Sequence, residues 1–255
     1  TINLSEGTLD ASQTINGTGL TTINGDITNR GTIANNLNLN SGTLFTSTGT
    51  INLGTVASPL TFTANGGSLN TQNQTAQTQF LGNVVLNSTL AWAIDVDLEN
   101  SIADLVSGAS INATDEKINI TDIAWLGSSM TAMTDLKIKV ADSVLKNAIN
   151  LSVASYEVDG KKFKLGNVID ENGYYIVFTY GDLYSAVHDL GTRTYGLTED
   201  EPAIAEELAG YGEMAGDKLT INGGEYTIAG AGKGGINTVS GQELVVNGGV
   251  WNNFN

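Results

Sequence analysis

Gly31-Thr32-Ile33 returns as Gly49-Thr50-Ile51 and again as Gly67-Ser68-Leu69, each time after eighteen residues, with Thr14-Ile15 one interval ahead of the first. A second column, Leu9, Ile27 and Phe45, keeps the same interval before it falls to Thr63. Eighteen residues divide into three strands of about six, each closed by a Gly or Asn turn, and are too few for the helical repeat families. The spacing predicts an all-β solenoid, a parallel β-helix of about eighteen residues per coil. Ile15, Ile33, Ile51 and Leu69 are expected to fill one interior row.

Working outward, Leu37 and Leu39 share one face of their segment while Asn38 and Asn40 take the other, the period-two pattern of a strand with one dry face. Asn at the turns accepts left-handed backbone and can stack in ladders between coils, so its abundance needs no ligand. From Leu90 to Leu105 the alternation sharpens: Trp92, Ile94, Val96 and Leu98 point one way, Ala93, Asp95, Asp97 and Glu99 the other. Another alternating run follows, from Ile118 to Ile123.

The period then breaks. Tyr156-Glu157-Val158 turns at Asp159-Gly160 into Lys162-Phe163-Lys164-Leu165, and Val168-Ile169 turns at Asn172-Gly173 into the run from Tyr174 to Tyr180; both dipeptides suit tight hairpins. Thr198 and Glu201 spell a capping box, with Pro202 in the first turn and Gly210 as a stop, which predicts a short helix near 199–209. The unit Leu219-Thr220-Ile221-Asn222-Gly223-Gly224 returns as Leu244-Val245-Val246-Asn247-Gly248-Gly249. Three regions are therefore expected: β-helix coils over 1–124, a hairpin-rich excursion with the short helix over 125–215, and coils resuming over 216–255 as the start of a next module. The chain opens and closes on repeat-like segments, which reads as a piece of a longer polypeptide.

Composition narrows the partners. The 255 residues carry a net charge of −16, and Arg30 is the single basic residue among the first hundred. Affinity for nucleic acid rests on Lys and Arg releasing condensed counterions, so a polyanion is an unsuitable partner, as is an anionic lipid surface. There is no cysteine for a disulfide or a thiolate metal site. No apolar run approaches the roughly 18 residues needed to span a bilayer, so no direct membrane insertion is expected.

Several segments resemble the passenger regions of large autotransporters, the type V secreted surface proteins of Gram-negative bacteria. They are Thr22-Ile23-Asn24-Gly25-Asp26-Ile27-Thr28-Asn29-Arg30-Gly31-Thr32-Ile33, the stretch Ala93-Ile94-Asp95-Val96-Asp97-Leu98 with Ala103-Asp104-Leu105, Ile118-Asn119-Ile120, and the tail Gly232-Lys233-Gly234-Gly235-Ile236 with Ser240-Gly241-Gln242-Glu243-Leu244. The resemblance implies a right-handed β-helical passenger displayed outside the cell and usually tethered by a C-terminal outer-membrane barrel. It also implies secretion through the periplasm, which a chain without cysteine suits. Residues 125–215 match this pattern less well.

Candidate chemistry is sparse. Gly230-Ala231-Gly232-Lys233-Gly234-Gly235 spells Gly-x-Gly-x-x-Gly, but strand and turn residues follow it where a dinucleotide site needs a helix. Asp95, Asp97 and Glu99, expected on one outward face, are the candidate Ca²⁺ ligands, with a solvated acidic edge as the plainer reading. Three acids on one strand do not flank a sugar from two sides, as glycoside hydrolysis requires. His188 is the only histidine, so neither a zinc site nor a hydrolytic triad assembles around it. Among the aromatics, alternation assigns Tyr174, Ile176, Phe178 and Tyr180 to a packed face, leaving Tyr175 and Tyr184 as the ligand-binding candidates. No catalytic or cofactor-binding residue emerges.

The expectation is a non-enzymatic, extracellular stalk or adhesin module contacting surface glycans, proteins or copies of itself. A carbohydrate-active β-helix enzyme and a self-assembling filament subunit are the alternatives.

Overall fold

The computed structural model describes residues 1–129, 133–181 and 185, together with the strands Arg193–Gly196, Lys218–Asn222, Glu225–Thr227, Glu243–Val246 and Val250–Asn252. The fold is all-β, dominated by a thirteen-stranded, largely parallel sheet. Two compact units divide the chain: the first holds residues 1–128, 137–153 and 167–176, the second 129–136, 154–166 and 177–255.

In the first unit the chain returns again and again to pair in parallel with itself. Strand Thr14–Asn29 meets three stretches in turn: Ile15 lies beside Ile33, Ile23 beside Leu39, and Ile27 beside Phe45. Ile33 then lies beside Ile51. Three apolar rows result, because parallel pairing in constant register puts equivalent side chains one above another. Ile15, Ile33 and Ile51 make the first row, Leu37, Phe62 and Val84 the second, and Ile27, Phe45, Leu69, Trp92 and Ile120 the third. Of these, only Ile15 is more than slightly accessible.

Leu69 does not continue the Ile15 row as its spacing suggested; it belongs to the third row, between Phe45 and Trp92. After Ile51 the chain spends residues on a small antiparallel turn, Gly54 pairing with Pro59 and Thr55 with Ser58. The next strand of the first row is therefore Thr78–Phe80, which Asn52 joins by a parallel bridge to Phe80. Leu9 and Thr63 also leave their expected column: Leu9 faces Asn29 after a register shift between Leu4 and Glu6, and Thr63 faces Asn38. The eighteen-residue period thus holds only while each return has the same length. Parallel pairing itself persists beyond residue 124, where the sequence period is already lost: Val106 faces Ala141, and Ile118 faces Ile149.

Glycines at the corners have a steric cause. A Cβ at Gly49 would lie 2.2 Å from the Gly31 carbonyl oxygen, and one at Gly31 would lie 2.3 Å from that of Gln13. Successive returns approach too closely there for any side chain. Outside the rows, amide side chains join neighbouring returns: Asn40 donates to Asn24 at 2.7 Å, Asn65 to Asn38 at 2.8 Å, and Asn87 to Asn65 at 2.8 Å.

The second unit contains the hairpin of Ser155–Val158 with the start of Lys161–Ile169, where Val158 faces Lys161. Asp159 and Gly160 close it with φ of 51° and 74°, the left-handed pair that a two-residue primed turn needs. Tyr156, Phe163 and Phe178 pack mutually, with ring centroids 6.4 to 6.5 Å apart. Later in this unit, Lys218–Asn222 pairs in parallel with both Arg193–Gly196 and Glu243–Val246, and Glu225–Thr227 pairs in parallel with Val250–Asn252.

The turn at 170–173, in the first unit, is built differently from the one expected at Asn172-Gly173. Asp170 accepts the amides of Asn172 at 2.8 Å and Gly173 at 3.1 Å, and its own amide donates to the Gly173 carbonyl at 3.1 Å. An aspartate that holds the backbone in this way supplies the turn without left-handed residues at 172 and 173. The helix expected near 199–209 lies outside the described residues.

Candidate functional site

Strand Leu90–Asp97 buries Leu90, Trp92, Ile94 and Val96, as its alternation required, but Asp95 is buried too, with no exposed surface. The outward acidic stripe of Asp95, Asp97 and Glu99 is therefore not formed. Alternation still turns Asp95 away from Ile94, yet residues 71–77 lie across that side of the strand. Asp95 Oδ2 accepts the amides of Asn73 at 2.6 Å and Thr75 at 3.2 Å. Asp97 is occupied elsewhere, accepting the Asn100 side-chain amide at 2.8 Å and its backbone amide at 3.0 Å, which hold its carboxyl below the usual carboxylate range. Glu99 is exposed. Among the described residues no three His, Cys, Asp or Glu side chains converge to hold a metal ion.

A second carboxyl completes the buried arrangement. After Asp97 the chain turns back, Ala103 pairs antiparallel with Val96, and Asp104 arrives beside Asp95. Asp104 has no exposed surface. It accepts three hydrogen bonds: from Thr71 Oγ1 at 2.6 Å, from the Gln77 amide at 2.8 Å and from the Asp95 amide at 2.9 Å. Burial pushes the Asp104 carboxyl up to about 6, and the neighbouring Asp95 adds to the rise against the opposing pull of those three bonds. Thr71 is the hub: it also receives the Trp92 indole N–H at 3.1 Å and lies 3.1 Å from the Ala93 carbonyl oxygen.

This polar corner runs back through earlier returns. Asn29 donates to Ser47 Oγ at 3.0 Å, both side chains being fully buried. Gln79, which stands in the first row after Ile51, accepts the Ile51 amide at 2.6 Å and donates to the Gly49 carbonyl at 3.2 Å and to Gln77 Oε1 at 3.1 Å. Only Asn29 Oδ1 and Asp95 Oδ1, among buried side-chain polar atoms of the described residues, make no hydrogen bond. Sequence reading passed over Asp104 as a site residue; its signal is a lone acid inside Ile102-Ala103-Asp104-Leu105-Val106. A carboxyl amid apolar neighbours on a strand must be buried with partners or must carry its proton.

Tyr175 is half-buried on strand Gly173–Tyr180, while Tyr174, Ile176 and Phe178 are buried, the division that alternation predicted. Burial pushes the Tyr174 phenol up to about 12. One face of the Tyr175 ring is covered by the Lys137 ammonium, 4.1 Å from the ring centroid, and Lys137 also pairs with Asp170 at 2.6 Å. Tyr184, His188 and the glycine run 230–235 lie outside the described residues, as does the side chain of Tyr180.

The corner can hold a proton near neutral pH and fasten the segment 71–77, but its carboxyls are sealed from any sugar or peptide. No known protein-family model matches the chain, and neither does any curated protein or solved structure.

Proposed function

We propose that the chain forms a right-handed parallel β-helix and serves as a non-enzymatic stalk or adhesin module of a bacterial cell-surface protein of the autotransporter kind. The observation that carries this reading is the parallel self-pairing of the first unit, in which three apolar rows rise through successive returns. A chain stacked in this way gains rigidity from backbone ladders and spreads weak contacts along its length, which suits a spacer that binds by avidity. The low charged fraction of 15%, the net charge of −16 and the lack of cysteine agree with an exported rod kept in solution by amides, hydroxyls and carboxylates. Asp104, whose carboxyl is pushed up to about 6, has no exposed surface, so this acid does not favour the enzymatic alternative.

Protease treatment of intact bacteria producing the parent protein tests the display. Loss of the chain from unbroken cells supports the reading, and full protection until lysis overturns it. Glycan-array binding without release of reducing sugar supports an adhesin; sugar release moves the chain to the enzymes. Concentration-dependent light scattering with no glycan bound identifies self-assembly as the mode of contact.

A further inference from the structure

Asp95 and Asp104 bring two carboxyl groups into a space where every hydrogen bond they accept comes from a neutral donor: the amides of Asn73, Thr75, Gln77 and Asp95, and the Thr71 hydroxyl. Among the described residues no cation pairs with either of them. The segment 71–77 contains no titratable side chain, nor do strands Thr78–Phe80 and Leu105–Ser107. On strand Leu90–Asp97, Asp97 is bound to Asn100. On strand Ile118–Leu126, Asp122 receives Gln72 Nε2 at 2.8 Å. On strand Lys137–Asp142, Lys137 pairs with Asp170, Asp142 accepts the amides of Gly108, Val144 and Leu145, and Lys139 makes no ion pair among the described residues. Asp95 Oδ1 is left without a partner in this interior.

We propose that the Asp95–Asp104 pair is a proton-operated latch: one proton taken up at Asp104 tightens the segment 71–77 onto strand Leu90–Asp97, and its loss loosens that segment. The hydrogen bonds are already arranged for both states. With Asp104 ionised, the Thr71 hydroxyl donates to Asp104 Oδ2. With a solvent proton on Oδ2, the new O–H donates to Thr71 Oγ1, and the hydroxyl hydrogen turns to the Ala93 carbonyl oxygen, 3.1 Å away. Trp92 Nε1 keeps its bond to Thr71 Oγ1 in either state. Protonation therefore relieves the burial of a charge, and the lesser opposition of Asp95, without orphaning a donor, since the Asp95 amide keeps Oδ2 as its acceptor.

The direction of the pH effect follows. The Asp104 carboxyl stands at about 6 in the folded chain against an ordinary 3.8. Between those values the folded chain holds a proton that the unfolded chain has released, so this contribution is complete below about pH 4 and is lost as pH rises through about 6. A difference of about two units corresponds to roughly a hundredfold in the folding equilibrium. Asp97 and Asp170, both held below the usual carboxylate range, act oppositely: their contributions are present at neutral pH and fail only in stronger acid.

Carboxyl ¹³C NMR of the labelled chain from pH 4 to 8, with amide hydrogen exchange at pH 5 and 7.5 corrected for intrinsic rates, tests the latch. The expected result is an Asp104 midpoint near 6 and amides of Asn73, Thr75 and Gln77 protected about tenfold more strongly at pH 5 than at pH 7.5. Asp104→Asn should erase that difference. Thr71→Val, which removes one bond to the carboxylate, should move the Asp104 midpoint upward. An Asp104 midpoint below 5, protection that does not change with pH, or an unaltered pH response in Asp104→Asn overturns the proposal. If Asp104→Asn does not fold, the wild-type titration and exchange decide alone.

Discussion

The apolar rows and the polar corner of the first unit are stacked by the same backbone ladder yet obey different rules. In the rows, Ile27, Phe45, Leu69, Trp92 and Ile120 succeed one another although the chain length between them varies. Hydrophobic contact is non-directional, so any side chain of fitting volume serves. In the corner, Thr71, Asp95 and Asp104 must each meet a particular donor or acceptor within hydrogen-bond distance. There a small displacement orphans a buried group. A row therefore tolerates exchange of residues while its volume is kept, whereas the corner depends on which atom sits where.

Substitutions can break that distinction or sharpen it. Trp92→Ala should have the largest effect, because it empties the third row and removes the indole bond to Thr71 together. Equilibrium unfolding in urea should show a loss of about 3–5 kcal/mol. Asp95→Ala should follow at about 2–3 kcal/mol, since it strands the Asn73 amide and leaves the Thr75 amide only Asn73 Oδ1, without opening an apolar cavity. If Asp95→Leu is no worse than Asp95→Asn, the corner is obeying the volume rule and the distinction fails. Gly49→Ala should cost about 1–3 kcal/mol by pushing a methyl group against the Gly31 carbonyl oxygen, seen as a lower thermal midpoint with native strand content in circular dichroism. Asn65→Ala, at the centre of the outer amide ladder, should cost only about 1 kcal/mol, because water can replace its bonds to Asn38, Asn40 and Asn87. A larger loss for Asn65→Ala than for Asp95→Ala would place the specificity of the stack outside rather than in the corner.

The Asp159-Gly160 hairpin was legible because two residues with positive φ are a local requirement that those residues meet cheaply. The packed face of Tyr174, Ile176 and Phe178 was legible for the same kind of reason, a two-residue alternation along one strand. The acidic face of Asp95, Asp97 and Glu99 was read by that alternation and misread. Alternation tells which side of a strand a residue faces, and it carries no information about what lies across that side. Residues 71–77 cover Asp95, and nothing near Asp95 in the sequence announces them.

By itself, the sequence determined an all-β chain, the rows Ile15-Ile33-Ile51 and Ile27-Phe45, and the glycines that let close returns pass. Those features depend on strand periodicity and on a constant interval, both written along the chain. Only the tertiary structure decided that Leu69 stands under Trp92, and that Asp104 meets Asp95 and Thr71 in the interior. Once the returns differ in length, spatial neighbours are set by where each loop closes, and loop length is thermodynamically cheap to vary. The chemistry of the corner arises from that variable part.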